Sequence, residues 1–349
     1  MFGENFPAID AVVTWVDGQD PRHLKKLNEY IAEIGGQRPV TADPTRFHND
    51  GEINYCVVSL LKFAPWLRYI YIVTDDQVPN IFDQLRGTPW EEKVKLVDHK
   101  DIFVGYEHVL PTFNIRSIMT VLWRIPGLSE NFLFLNDDFS LIQPVMPENF
   151  FHKNGVVLRG QWRPMEDKRL ISRLRNYWFK FVPKTKQQKL RDRAKHREAQ
   201  KNSARLAGFV DRYFWLRHEP HPWRVSTTKA FFEQNPELFK KNLEPKLRLP
   251  DQFICESLAA FLELKAGTAI LDESLLALKI DPPDQSEKEL RKMIERADRD
   301  PSCAFICVQS LEKAPPELHQ HIVNWLDRRI GSLADLLAEQ SAEQQVLMR

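Results

Sequence analysis

No segment of the 349 residues is long and apolar enough to be predicted as a membrane span, which needs roughly 18 consecutive apolar residues. The N-terminal stretch MFGENFPAID also lacks the basic and apolar regions of a secretory signal peptide. We therefore expect a soluble, globular, cytoplasmic protein that is peripheral to a membrane at most.

The chain has little net charge and few cysteines. Its 49 Lys and Arg nearly balance 48 Asp and Glu, so affinity for a polyanion or a membrane must come from local clusters. The four cysteines are scattered, and the pair in CAFIC has no second Cys/His pair to complete a zinc site. We expect free thiols in a reducing compartment. No Gly-rich phosphate loop or nucleic-acid motif is present, which argues against DNA or RNA as a partner.

Short apolar runs punctuate the first third of the chain. They are continuous rather than alternating, which is typical of strands covered on both faces of a parallel sheet. The runs lie at 11–13, 69–73, 94–97 and 132–135. Amphipathic helical patterns between them end at glycines or prolines near 35, 64 and 126. This alternation predicts a Rossmann-like α/β domain over about 8–150, with a mostly parallel sheet flanked by helices.

The remainder of the chain is predicted to be mainly helical. A helical, aromatic-rich pattern begins at Gly208, and one amphipathic helix is predicted from Pro316 to about Leu337. We expect four segments in all. They are an α/β catalytic part at 1–155, a basic insert at 156–206, a second half of the core at 207–312 and a C-terminal helix at 313–349.

Residues 168–205, called the basic segment below, contain fourteen Lys and Arg but two acidic residues. Such a run is often a solvated helix or a disordered insert. It can also bind a polyanion or an anionic membrane surface, with its aromatic residues as interfacial anchors. The residues alone leave both interpretations open.

Acidic residues follow the predicted strands, at the sheet edge where open α/β folds bind ligands. Asp75 and Asp98 suit ordinary turns or helix caps. Asn136, Asp137 and Asp138 are less ordinary, because two like charges directly follow a buried strand. Adjacent carboxylates of this kind can hold a divalent cation, and a hard cation in turn binds diphosphate oxygens. A simple turn remains the alternative.

Two later motifs carry groups that suit transfer chemistry. His218 and His221 in RHEPHPWR can take a proton from a hydroxyl near neutral pH, although histidines around a proline are often structural. Arg248 in KLRLPDQF can bind a phosphate through two hydrogen bonds, or be a surface arginine.

Several long motifs occur in a characteristic order. IDAVVTWVDGQDP (9–21) and YCVVSLLKFAPWLRYIYIVTDDQVP (55–79), continued by HKDIF, LPTFN and RIPGLSENFLFLNDDF, resemble the first two signature blocks of the Stealth family. HEPHPWR and KLRLPDQF resemble the third block more loosely. That family includes bacterial capsule polymerases and the eukaryotic GlcNAc-1-phosphotransferase that marks lysosomal enzymes.

The resemblance implies a GT-A-like fold and transfer of hexose-1-phosphate from a UDP-sugar, for which UDP-GlcNAc is a candidate, to a hydroxyl of a growing surface or capsular polysaccharide. The acceptor oxygen attacks the β-phosphorus, UMP leaves, and the anomeric configuration is retained. Mg²⁺ or Mn²⁺ is the implied cofactor. The polyanionic glycan would lie along the basic segment, at the inner face of the bacterial cell membrane or in the cytoplasm.

The resemblance also implies a nucleotide-binding set of residues. Trp15, Val16 and Asp17 would line the nucleotide pocket, and Asp10 would support their strand. Asn114, in LPTFN, would complete the substrate-binding residues.

A second implied set carries the transfer. Asp137 and Asp138, with Asn136, would bind the cation and the diphosphate. His218 would take the acceptor proton as general base, with Asp138 as the alternative that stays open and His221 as a structural or secondary partner of His218. Arg248 would neutralise the transferred phosphate.

The chain departs from the family pattern at two places. Val58 stands where relatives usually have an arginine and Met119 where they have a glutamate, so we hypothesise that a charge pair is replaced here by an apolar contact. Gln309 and Ser310 occupy the place of an Asn-Asp pair, and neither is predicted to be catalytic. These departures keep open a non-catalytic polysaccharide-binding module. A metal-dependent glycosyltransferase that releases UDP is a separate alternative.

Overall fold

A computed structural model describes residues 7–44, 47–153, 155–165 and 196–347. Most of the basic segment lies outside these described residues, so the prediction that it binds a polyanion stays a prediction. Among the helices that are described, none is both long and apolar enough to cross a membrane.

The secondary structure alternates between strands and helices through the first half. The strands are β1 (Ile9–Thr14), β2 (Ile70–Thr74), β3 (Val94–Asp98), β4 (Asn131–Asn136), β5 (Phe139–Leu141), β6 (Phe151–His152), β7 (Gly155–Leu158), β8 (Gly160–Pro164), β9 (Arg212–Leu216), β10 (His221–Arg224), β11 (Ala269–Leu271), β12 (Leu276–Ile280) and β13 (Cys303–Val308). The α-helices are Pro21–Glu33, Glu52–Phe63, Ile81–Leu85, His99–Ile102, Ile115–Val121, 196–206, Val225–Gln234, Pro236–Leu243, Cys255–Ala266, Glu287–Arg299, Pro316–Arg329 and Leu333–Leu347.

A five-stranded sheet in the order β10-β4-β1-β2-β3 forms the centre of the fold. β1 pairs in parallel with both β2 and β4, and β2 pairs in parallel with β3. β10 alone runs antiparallel, along the outer side of β4. The predicted Rossmann-like, mostly parallel α/β fold is therefore confirmed, and all four predicted strands lie in this sheet.

Side chains alternate between the two faces of the sheet and enter two separate cores. In β1, Ala11 and Val13 belong to one core and Val12 to the other. The first core includes Val58, and the second includes Met119. The hypothesis of an apolar contact between Val58 and Met119 is therefore wrong, because the sheet lies between them.

A second, three-stranded sheet in the order β12-β13-β5 packs beside the end of β4. β13 pairs antiparallel with β5, and Cys307 lies opposite Phe139. The backbone N–H of Val308 donates to the backbone oxygen of Asp138 at 2.9 Å. This pairing brings the motif FICVQS, from the far end of the sequence, against the predicted acidic cluster.

The C-terminal part is helical, but the single helix predicted from Pro316 to Leu337 is two helices. The first ends at Arg329 and the second begins at Leu333. Gly331 between them has a φ of 83°, a left-handed conformation that glycine adopts at little cost. Tyr55 and Lys62, on the second helix of the chain, hydrogen-bond to this region at Asp327 (2.6 Å) and Glu339 (2.8 Å), so both helices pack on the body.

Candidate active site

A cavity of about 630 Å³ lies beyond the carboxyl ends of β1 and β4, where open α/β sheets bind their ligands. Eight of the predicted site residues line it. They are Trp15, Val16, Asn136, Asp137, Asp138, His218, His221 and Arg248. The fold thus brings four sequence motifs, separated by up to about 230 positions, into one cavity.

Asp138 is held in a defined orientation by the end of β13. Its Oδ2 accepts a hydrogen bond from Gln309 Nε2 at 2.8 Å, and the Cys307 thiol donates to the same oxygen at 3.5 Å. The other oxygen, Oδ1, is buried and has no hydrogen-bond partner among the described residues. Gln309 therefore shapes this site by orienting Asp138.

The acidic side of the cavity is electrostatically unfavourable without a cation. Burial raises the pKa of Asp137 well above its usual range, and the nearby charges of Asp138 and Glu52 raise it further. Burial also raises the pKa of Asp138, although the hydrogen bonds from Gln309 and Cys307 oppose this. Asp137 and Asp138 thus both resist ionisation, and Oδ1 of Asp138 has no hydrogen-bond partner among the described residues. These properties fit a hard divalent cation held by Asp137 and Asp138.

A second set of possible metal ligands lies at the rim. One ligand atom each from His48, Asp50 and Glu312 comes within 4.8 Å of the others, and His48 Nε2 is 2.9 Å from Asp50 Oδ1. Among the described residues Asp137 and Asp138 do not form such a three-ligand set, so a cation there would need further ligands from water or substrate. Mg²⁺ is commonly bound in that way.

The two predicted histidines are neutral at physiological pH. The rings of His218 and His221 both contact Phe139, with centroids 6.2 and 6.4 Å apart, and His196 stacks on His218 at 6.1 Å. Burial lowers the pKa of His218 to about 4, with a contribution from the positive charge of Lys279. Burial likewise lowers the pKa of His221 to about 3. His218 is thus a weak base, although it can still exchange hydrogen bonds with a hydroxyl.

Two arginines also line the cavity. Arg248 was predicted to do so, and Arg116 joins it with its Nη1 donating to the backbone oxygen of Leu249 at 2.8 Å. Glu256 lines the cavity as well. Burial raises its pKa to about 7, while Arg116 and Arg248 lower it and Asp138 raises it.

Sequence reasoning missed Glu52, Arg116, Glu256 and Lys279, all of which line the cavity. Arg116 follows LPTFN closely, and this proximity to a motif was the one available signal. Glu256 and Lys279 belong to a helix and a strand with no recognisable pattern of their own, and the fold alone brings them to the site.

Two predicted binding residues hold the fold together. Asp10 is fully buried and accepts hydrogen bonds from Arg68 Nη2 at 2.6 Å and from the backbone N–H of Ser129 at 2.7 Å. Asn114 caps the helix Ile115–Val121, and its Nδ2 donates to Gln252 Oε1 at 3.0 Å. Neither side chain lines the cavity. Asp10 supports its strand, and a substrate-binding role for Asn114 stays a prediction.

Asp17 also lies outside the cavity lining. Its backbone N–H donates to Gln77 Oε1 at 3.0 Å, and its Oδ1 accepts from the backbone of Gln19 at 2.9 Å. These contacts shape the loop after β1 and thereby place Trp15 and Val16.

The chain matches two family models. Residues 7–35 match Stealth protein CR1, conserved region 1, and residues 46–158 match Stealth protein CR2, conserved region 2. The capsular polysaccharide phosphotransferase cps12A of Actinobacillus pleuropneumoniae is 40% identical over 169 residues, which cover 47% of this chain and 44% of that protein. The exopolysaccharide phosphotransferase SCO2592 of Streptomyces coelicolor is 43% identical over 160 residues, which cover 46% of this chain and 16% of that protein. The match thus spans less than half the length of each relative.

Solved structures give a weaker similarity. The galactosyltransferase LgtC, in complex with donor and acceptor sugar analogs, aligns with a TM-score of 0.42 and 10% identity over 91% of this chain and 96% of that chain. Mouse xyloside xylosyltransferase 1 aligns with a TM-score of 0.34 and 11% identity over 86% and 98%. Similarity at this level carries no argument about the site. The matches to the two Stealth regions are more specific, and they show that residues 7–35 and 46–158 of this chain are similar to that family.

Proposed function

We propose that this chain transfers a hexose-1-phosphate unit from a UDP-sugar to a hydroxyl of a growing surface polysaccharide, with UMP as the leaving group. The supporting observation is one cavity that is lined by both two adjacent carboxylates and two arginines. The relatives named as capsular and exopolysaccharide phosphotransferases favour the same chemistry.

The division of charge in the cavity suits phosphoryl transfer. A phosphoryl group carries its charge on peripheral oxygens throughout the reaction, so the protein accelerates it by positioning and by charge neutralisation. Arg248 and Arg116 supply fixed positive charge. Asp137 and Asp138 would hold Mg²⁺ or Mn²⁺, which would neutralise further charge on the diphosphate.

The acceptor hydroxyl would attack the β-phosphorus. A new oxygen–phosphorus bond forms, the bond from that phosphorus to the bridging oxygen of UMP breaks, and the bond between the anomeric carbon and its oxygen stays intact. Because this carbon takes no part, its configuration is retained. The product is a phosphodiester between two sugars.

Asp138 and His218 are the two candidates to receive the hydroxyl proton. With a pKa of about 4, His218 has low affinity for a proton at neutral pH, so we assign it the orientation of the hydroxyl through a hydrogen bond. Gln309 and Cys307 keep the Asp138 carboxylate in place. We therefore assign the proton to Asp138.

The cavity also has apolar and aromatic lining that suits a nucleoside. Trp15 and Val16, which follow β1, line it together with the rings of Phe47 and Phe113. The ring centroid of His23 lies 5.2 Å from that of Phe47 and 5.5 Å from that of Phe113. Aromatic surfaces of this kind stack on heterocyclic bases. UDP-GlcNAc is the donor we would test first.

The experiment that tests the proposal is an assay of released nucleotide. Purified protein is incubated with a panel of UDP-sugars, a glycan acceptor and Mg²⁺, and UMP and UDP are separated by chromatography. The proposal predicts UMP in the wild type and its loss in the Asp138→Asn variant. Release of UDP would support an ordinary glycosyltransferase instead, and sugar binding without turnover would support a non-catalytic module.

A further inference from the structure

Glu256 is a cavity carboxylate that the proposed transfer does not use. It lies in the first turn of the helix Cys255–Ala266, is 8% exposed, and lines the cavity together with Asp138, His218 and Arg248. Buried carboxylates are normally hydrogen-bonded or ion-paired, so the burial of Glu256 requires a physical explanation.

No described residue donates a hydrogen bond to the Glu256 carboxylate. Glu263 on the same helix shows the ordinary alternative. It accepts from Arg224 Nε at 2.9 Å and from Arg224 Nη2 at 3.1 Å, and Thr227 and Thr268 also donate to it. The fold therefore uses Glu263 for its own stability and leaves the acceptor oxygens of Glu256 available to a ligand.

The charges around Glu256 limit what that ligand can be. The positive charges of Arg116 and Arg248 lower the pKa of Glu256, and the negative charge of Asp138 raises it. The two arginines attract a phosphate, whereas the carboxylate of Glu256 repels one. The group that contacts Glu256 must therefore donate hydrogen bonds and be attached to a phosphate that the arginines hold.

A sugar bonded directly to that phosphate meets both requirements. Its hydroxyls donate as well as accept, so they match a carboxyl group in either protonation state. This matters because the pKa of Glu256, raised by burial to about 7, leaves both states populated at neutral pH.

We propose that Glu256 forms the hexosyl subsite of the donor, in which it hydrogen-bonds to the sugar hydroxyls while Arg116 and Arg248 bind the attached phosphate. This inference rests on the proposed function, since it assigns the sugar of the same donor. It makes Glu256 a specificity-determining residue.

The test compares two phosphate esters that differ in their hydroxyls. N-acetylglucosamine 1-phosphate and methyl phosphate are titrated into the full chain by calorimetry. We expect the wild type to bind the sugar phosphate at least about tenfold more tightly, because hydrogen bonds to a carboxylate are stronger than neutral ones. Glu256→Gln should lose most of this preference and bind methyl phosphate as before.

Glu233→Gln is the matched control, because Glu233 is 61% exposed and its only described ion pair is a 3.8 Å contact with Lys229. It should keep the wild-type preference. Glu256→Asp, which retains a shortened carboxylate, should give an intermediate preference and covers the case in which Glu256→Gln does not fold. An unchanged preference in folded Glu256→Gln, or no preference in the wild type, would overturn the inference.

Binding and turnover separate this inference from the proposed function. UMP release without a preference for the sugar phosphate would leave the function standing and remove the subsite. A preference that depends on Glu256, without UMP release from any UDP-sugar, would leave the subsite standing and remove the function.

Discussion

Asp138 is oriented for chemistry by its neighbours, but its burial lowers the stability of the folded protein. One carboxylate oxygen is held by Gln309 and Cys307, and the other is buried without a partner among the described residues. The raised pKa of this group means that its ionised form destabilises the metal-free protein.

Replacing Asp138 by Asn should therefore separate activity from stability. We expect UMP release to fall by about a hundredfold or more, as is typical when a charged group at a phosphoryl-transfer site is lost. The free energy of unfolding at pH 8 should stay the same or increase, because an ionised buried group is removed. Thermal unfolding with and without Mg²⁺ checks this, and the wild type alone should gain stability from the ion. Full activity together with an unchanged Mg²⁺ response would contradict the role of Asp138.

Glu219, beside His218, gives a prediction about pH. It is 3% exposed, and burial raises its pKa from 4.5 to about 8 despite the nearby positive charges of Arg159 and Arg217. A carboxyl group whose pKa is raised on folding favours the folded state at low pH, and this contribution is lost as pH rises from about 4.5 through about 8.

Glu219→Gln removes that titration. Relative to the wild type, the variant should become more stable by up to a few kcal/mol as pH rises from 5 to 8, with no further change above pH 8. Urea unfolding of both proteins at several pH values measures the difference. A difference in stability that does not vary with pH would show that Glu219 is not held protonated by burial.

Residue types and motifs predicted part of the site. Asp137, Asp138, His218 and Arg248 were assigned from their motifs and meet in the cavity. Glu256 could not be found in this way, because a glutamate in a helix has no distinguishing mark until the fold turns it toward a cavity. Asp10 and Asn114 were assigned to binding because their motifs were recognised, and motifs do not distinguish a residue that binds substrate from one that supports the loop beside it.

At the scale of elements, the strands buried on both faces were predictable and the later strands were not. β1, β2 and β4 are continuous apolar runs, which leave little alternative to a parallel sheet, whereas β3 at the sheet edge contains Lys95 and is only partly buried. β9 and β10 are short and mix charged with aromatic residues, and β10 exists because it pairs with β4, almost 90 positions earlier. Long-range pairing of this kind leaves no local pattern.

Asp10 links the starts of several strands. Substitution of Asp10 tests whether its role is structural. It accepts from Arg68 and from the backbone of Tyr69 and Ser129, next to β1, β2 and β4. Asp10→Asn should lower the free energy of unfolding by about 2–4 kcal/mol, because a buried partner of a charged hydrogen bond is lost. KM for the donor should stay the same in protein that remains folded.

The control for this prediction is Asp83→Asn, since Asp83 pairs with Arg86 at 3.0 Å on the exposed surface. We expect a change within about 0.5 kcal/mol. Urea unfolding measures both variants. Equal effects of the two substitutions on stability, or a large rise in donor KM for Asp10→Asn, would contradict the structural role and indicate that Asp10 binds substrate.

At the scale of the whole molecule, the basic segment is the main prediction without a structural test, because most of it lies outside the described residues. If it holds a polyanionic product, reversing the charges of Lys184, Lys186 and Lys189 to Glu should shorten the polymer, since each lost charge weakens the hold on a phosphate-containing chain. Donor hydrolysis should change little. The same change at Lys288 and Lys292, in the helix Glu287–Arg299, is the control. Product lengths by gel electrophoresis that match the wild type would count against this role.

The account as a whole depends on which bond of the donor breaks, and a donor labelled with ³²P at its β-phosphorus reports this directly. If the cavity directs the acceptor hydroxyl to phosphorus, the label moves into the glycan product and the released nucleotide is unlabelled UMP. Label that stays with the nucleotide as UDP, in the presence of a newly formed glycosidic bond, would contradict the account.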